Sequence, residues 1–178
     1  MAPWAQQVRD FWLSQPPERW WKADAQFDAE IRARFLPLWE EQGSGQAKDF
    51  LGSAEEAVAA AILFDQFPRN MFRDHAEQFA TDPLALAIAR EADRLGFHER
   101  LGKDERIFLT MPLEHSESLD DQERSLALFT ALGDPEHLRY ARLHHDVVAR
   151  FGRFPHRNAM LGRAPRPDEI AAGEVVPW

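Results

Sequence analysis

The chain contains no cysteine, which excludes disulfide scaffolds, thiolate zinc sites and thiol catalysis together. Nowhere does it carry the roughly 18 consecutive apolar residues of a membrane span. Met1 to Asp10 has no basic cluster leading into an apolar run, so no secretory signal is expected and the reading is of a cytoplasmic protein. Positive charge is in deficit: 21 Lys and Arg against 30 Asp and Glu give a formal charge of −9. That balance argues against electrostatic binding to duplex nucleic acid or to an anionic membrane. A Gly-rich phosphate loop, a dinucleotide fingerprint and a nucleophile elbow are all missing, so no cofactor is expected. Flexible-linker composition is confined to Gly43-Ser44-Gly45, too short to separate domains, and residues 1–178 therefore read as a single domain.

What is present is helical. No alternating strand pattern occurs, and 44 % hydrophobic residues in a 178-residue chain suffice for one core. Trp4, Val8, Phe11 and Trp12 form one stripe, ended by Pro16-Pro17. Asp24 caps a second helix bearing Phe27, Ile31, Phe35, Leu38 and Trp39, which Pro37 is expected to kink or end early. Ser53 with Glu56 opens an Ala-rich helix through Val58, Ile62, Leu63 and Phe67, with Pro68 as its expected stop. Asp82-Pro83 and Asp134-Pro135 open two more, closed by Gly96 and Gly152, and a helix from Ser118 runs to Gly133. The spacing predicts an all-α fold of about eight or nine helices. Of the six tryptophans, five lie in the first 39 residues; of the adjacent Trp20 and Trp21, which cannot both face inward, one is read as anchoring the helix and the other as covering an edge, with both expected to be mostly buried.

One segment echoes another. Phe67-Pro68-Arg69-Asn70 with Met71-Phe72-Arg73 resurfaces as Phe154-Pro155-His156-Arg157-Asn158 with Met160-Leu161 and Arg163, about ninety residues later. Two such copies suggest two degenerate halves of stacked helical hairpins.

Charge is uneven in a way that composition alone hides. Arginine outnumbers lysine eighteen to three, and from Arg139 to Arg166 there are seven arginines and one acid. That stretch carries +6, leaving −15 on the rest of the chain. Guanidinium is the better group for gripping carboxylate or phosphate through paired hydrogen bonds. Phe151, Phe154, Met160 and Leu161 interleave with these arginines, so some guanidiniums sit at the core boundary and need anionic or carbonyl partners. Two readings stay open: the arginines clamp the fold through acids such as Asp65, Glu114 and Glu117, or they line a pocket for a small anion. Stacking of the interleaved aromatics on single-stranded nucleic acid is opposed by the −15 remainder.

Histidines mark the remaining polar blocks. Pro112 is expected to break a short helix and leave His115 in a turn with Glu114 and Glu117, and His144 falls on a mostly apolar helical stripe between Tyr140 and Phe151. His115, Glu117, His144 and His156 are the candidates for acid–base work. The same four could hold a metal, but no HExxH or paired-acid helical motif accompanies them and no metal is expected.

Phe11-Trp12, Trp20-Trp21, Leu63 to Asn70 with Arg73, Pro112-Leu113 with His115-Ser116-Glu117 and Gln122, and His144 leading into Arg150 to Asn158 and Leu161-Gly162-Arg163 together resemble the bacterial family known as domain of unknown function 924. The likeness covers nearly the whole chain in order, and Arg-Phe-Gly-Arg-Phe-Pro-His-Arg-Asn is its most specific block. Phe50 and Phe64 depart from the tryptophan and leucine expected at those places. The resemblance implies a tetratricopeptide-like all-helical superhelix and no established activity. Two functions follow as expectations. The first is a polar pocket for a small anionic metabolite, a carboxylate or phosphate, bound by Asp65, Arg69, Asn70, Arg153, Arg157 and Asn158 and able to host catalysis. The second is a scaffold holding a peptide or protein partner in a helical groove.

Overall fold

The computed structural model describes residues 1–175. Among them there is no strand, and the chain forms two compact units, Met1–Pro112 and Leu113–Trp178. No helix of the described residues is long and apolar enough to cross a membrane.

In the first unit, α1 (Pro3–Leu13), the short α2 (Glu18–Trp21) and α3 (Ala25–Gln42) precede the Ala-rich α4 (Ala54–Ala61). A π turn over Ile62–Gln66 joins α4 to α5 (Phe67–Met71) without interruption, and α6 (Asp82–Arg94) and α7 (Lys103–Glu114) follow. The α4–α5 rod counts once, so nine helical rods run through the described residues, α8 to α10 of the second unit included. Asp24 caps α3 by accepting from the amides of Gln26 and Phe27, and Ser53 caps α4 by accepting from that of Glu56. Glu56 does not return the bond; its carboxylate accepts from the Ala2 amide at 3.0 Å. The cap of α6 is Thr81, one residue before the expected Asp82.

Three prolines expected to break helices do not. Pro37 lies inside α3, where it and Ala33, whose carbonyl it deprives of a donor, are both solvent-exposed, so water satisfies that oxygen. Pro112 lies inside α7, which runs on to Glu114. Pro68 is buried, so its lost donor has to be replaced from within the protein. The chain opens a π turn, in which the Phe67 amide reaches back to the Ile62 carbonyl. The Thr81 hydroxyl then donates to the Phe64 carbonyl at 2.7 Å, and Trp39 Nε1 donates to Thr81 Oγ1 at 3.0 Å.

α1 packs on α4, α4 on α6 and α3 on α5. Their shared core is aromatic: Trp12 lies 5.9 Å from Phe27, 5.6 Å from Phe67 and 5.6 Å from Phe108, ring centre to ring centre. Trp20 is half-buried, with its indole N–H donating to the Trp12 carbonyl. The expectation that both neighbouring tryptophans are buried fails at Trp21. It stacks on Phe108 at 5.9 Å yet remains 48 % exposed, because adjacent residues on one helical turn cannot both face the core.

The second unit begins at the last two residues of α7. Its main element is a helical hairpin, α8 (Leu119–Leu132) packed on α9 (Pro135–Phe151). Gly133 at φ 75° closes α8, and the Asp134 carboxylate caps α9 by accepting from the Glu136 and His137 amides. Gly152, at φ 69°, turns the chain out of α9 into a 3₁₀ turn over Pro155–Arg157, and α10 (Pro167–Ala172) follows.

Candidate functional site

The turn after α7 is held from α8. Gln122 is fully buried, and its side-chain amide donates to the Glu114 carbonyl at 2.6 Å and to the Ser116 carbonyl at 2.7 Å. Ser116 Oγ donates to Asp121 at 2.6 Å and accepts from the Ser118 amide. Two buried amide bonds therefore fix the backbone that carries His115, which is half-buried, and Glu114, which is buried.

Much of the Arg-rich block is a clamp. Arg153 pairs with Glu169 through Nε at 2.6 Å and Nη2 at 2.9 Å, and also donates to the Ala164 carbonyl. Glu169 further accepts from Asn158 Nδ2 and the Arg166 amide, so one carboxylate gathers the turn after α9 and the start of α10. These donors hold Glu169 down at about 2, the Arg153 bonds foremost and burial opposing. Arg163 forks onto Glu117 at 2.7 and 2.9 Å and donates to the Phe154 carbonyl and Asn158 Oδ1. Glu117 also accepts from the Phe154 amide, and these bonds lower its proton affinity against the opposing effect of burial. Of the sequence candidates in this unit, Arg153, Asn158 and Glu117 are thus committed to holding residues 153–169 in place. Glu169 was missed by sequence reasoning; its position three residues after Arg166, just inside a helix opened by Pro167, was the available signal.

Inside that clamp the other candidates gather around one ring. Phe154 is fully buried. His144 meets its edge at 5.7 Å between ring centres, His156 lies at 5.6 Å, and the Arg157 guanidinium sits over it at 4.6 Å. His115 is 6.0 Å from His144 between ring centres. His144 Nδ1 stands 2.8 Å from the Tyr140 carbonyl and 3.3 Å from Glu114 Oε1. Burial, followed by the neighbouring charge of His115, pushes His144 down to about 3, with the Tyr140 bond opposing. Burial and then Arg157 push His156 down to about 4, with Glu117 opposing. Both imidazoles are therefore neutral near pH 7, which suits hydrogen bonding or metal ligation better than proton shuttling. His156 and Asn158 also border a cleft of about 680 Å³, shared with Arg163, Glu169 and Ile170.

The candidates of the first unit stand in ion pairs of their own. Arg69 forks onto Asp82 at 2.9 and 3.0 Å, bonds the Asp65 carbonyl and lies 3.3 Å from the buried Asp65 carboxylate. Asn70 donates to Asp28, on which Arg73 also forks. Asp28 and Asp82 were not among the sequence candidates; each stands in the first turn of a helix, where acids are expected for helix stability alone.

Comparison with known proteins gives a family and a fold. The family described as bacterial protein of unknown function (DUF924) matches residues 8–172. A solved structure of a protein of unknown function from Agrobacterium tumefaciens is 39 % identical, covers 96 % of this chain and 96 % of its own, and superposes with a TM-score of 0.88. No curated protein matches.

Proposed function

We propose that this chain, which belongs to the bacterial DUF924 family, binds a small anion, a carboxylate or a phosphate, in its second unit at His115, His144, His156 and Arg157. The observation that supports the reading is the gathering of His144, His156 and the Arg157 guanidinium around Phe154, with His115 6.0 Å from His144 and with burial, followed by neighbouring charge, lowering the basicity of His144 and His156. A site rich in N–H donors, set in an apolar wall and bordered by a solvent cleft, fits an anion's lone pairs and charge. The clamps of Arg153, Arg163 and Asn158 keep the donors in position before the ligand arrives, and Asp65, Arg69 and Asn70 do the same structural work in the first unit. We infer as its setting a cytoplasmic single domain of stacked, tetratricopeptide-like hairpins whose halves are marked by the two Phe-Pro-Arg-Asn segments.

A peptide-binding scaffold is the second reading, and exposed Trp21 is the observation that favours it. The two are separated by thermal melting of the protein in EDTA with phosphate or a dicarboxylate. At about a hundredfold excess over Kd, linkage stabilises by about 2.7 kcal/mol, a rise of several degrees in Tm. The parent should show this rise, and Arg157→Lys and His156→Ala should show it reduced or abolished. Equal shifts in parent and both variants would place the anion elsewhere, and no shift in the parent would remove the pocket.

A further inference from the structure

We propose that Glu114, His115 and His144 form a binding site for one divalent transition-metal ion of the zinc type. One ligand atom from each of the three lies within 4.8 Å of the others. The sequence reading set metal aside for want of a motif, because the donors come from two elements about thirty residues apart and because Glu114, rather than Glu117, completes the set. The inference goes beyond the anion reading and stands without it, since the three donors would hold a cation whether or not an anion follows.

The donor chemistry selects the ion. Two imidazoles and one carboxylate make a borderline set that suits Zn²⁺ and its late first-row neighbours, whereas Mg²⁺ and Ca²⁺ prefer oxygen ligands. Zinc bound at roughly 2.0–2.2 Å brings its ligand atoms to roughly 3.4 Å from one another. Glu114 Oε1 and His144 Nδ1 already stand 3.3 Å apart. The His115 ring, half-buried on a turn, supplies the remaining adjustment by rotation about its side-chain bonds. His144 Nδ1 also stands 2.8 Å from the Tyr140 carbonyl, so ligation at Nδ1 moves the ring hydrogen to Nε2 and exchanges that hydrogen bond for the metal. Gln122 holds the backbone on both sides of His115. Three protein ligands leave a coordination position open, and His156 and Arg157 lie against the same Phe154 ring that His144 meets.

The test uses the full chain, freed of metal, in a buffer without phosphate or carboxylate. Titration with Zn²⁺ followed by equilibrium dialysis should give one ion per chain, and Mg²⁺ in its place should give none. His115→Ala and Glu114→Gln should each weaken Zn²⁺ binding by tenfold or more, while His75→Ala, on an exposed histidine outside the cluster, should leave it unchanged. Co²⁺ should produce the visible absorption of a low-coordinate nitrogen and oxygen site in the parent and lose it in His115→Ala. Because Glu114 is buried and its variant tests folding as well as ligation, the spectrum of His115→Ala decides the matter if Glu114→Gln does not fold. Failure to bind Zn²⁺, or binding that both variants leave intact, overturns the proposal. Either result leaves the anion melting experiment, performed in EDTA, untouched.

Discussion

Replacing Arg69 with alanine should lower the unfolding free energy by about 3 kcal/mol or more, without changing any anion response of the protein. The expectation rests on what the guanidinium faces. Asp65 is 1 % exposed, and Arg69 stands 3.3 Å from its carboxylate while forking onto Asp82. Removing one member of a buried pair leaves the other charge in a low-dielectric setting, which typically costs about 3–5 kcal/mol, whereas an exposed pair is worth about 0–1 kcal/mol. Urea denaturation of the parent, Arg69→Ala and the double variant Arg69→Met with Asp65→Leu separates the two cases. The double variant should recover part of the loss, because the stranded carboxylate goes with its partner. A loss below about 1 kcal/mol in Arg69→Ala would show that the pair is not structural and would return Arg69 to the list of ligand groups.

Trp12→Ala should cost about 3–5 kcal/mol, the range for truncating a large aromatic in a close-packed core. Trp12 is fully buried and touches Phe27, Phe67 and Phe108, so the cavity would open at the meeting point of α1, α3, α5 and α7. Trp21→Ala is the matched control, because its ring rests on Phe108 with 48 % of the residue in solvent. Its loss should stay near 1 kcal/mol or below, since only one face of the ring is buried. Denaturant melts of the two variants check this. A large effect at Trp21 would mean that the residue serves the core, and the scaffold reading would lose its exposed anchor.

Helix-level structure was legible where the chain announces itself locally. Asp24, Ser53 and Asp134 cap the helices they were expected to cap, and Gly133 and Gly152 close theirs at positive φ. Prolines misled because their effect depends on what surrounds the carbonyl they orphan. Water serves Ala33, and Thr81, seventeen residues from Phe64, serves Phe64 by a bond no local pattern announces. The site shows the same division. Arg153 and Arg163 could be recognised as groups needing acids, but Glu169 could not be matched to Arg153 before the chain turned at Gly152 and again at Pro167. His144 was legible as a buried histidine from its stripe, while the closeness of its ring to His115 depends on how α9 packs against α8 and the turn before it. The asymmetry is physical: caps and stripes are short-range, and ion-pair partners are chosen in three dimensions.

The most direct measurement of the anion site is histidine NMR, following the ring carbon-bound protons of the chain's seven histidines while phosphate or a dicarboxylate is added to the metal-free protein. His115, His144 and His156 should shift together and saturate at one Kd, with the exposed His75 of the first unit unmoved. Arg157→Lys should weaken all three responses in parallel. Movement of the exposed histidines alone, or three separate and unsaturating responses, would contradict a site at Phe154 and leave the Arg-rich block as a structural clamp.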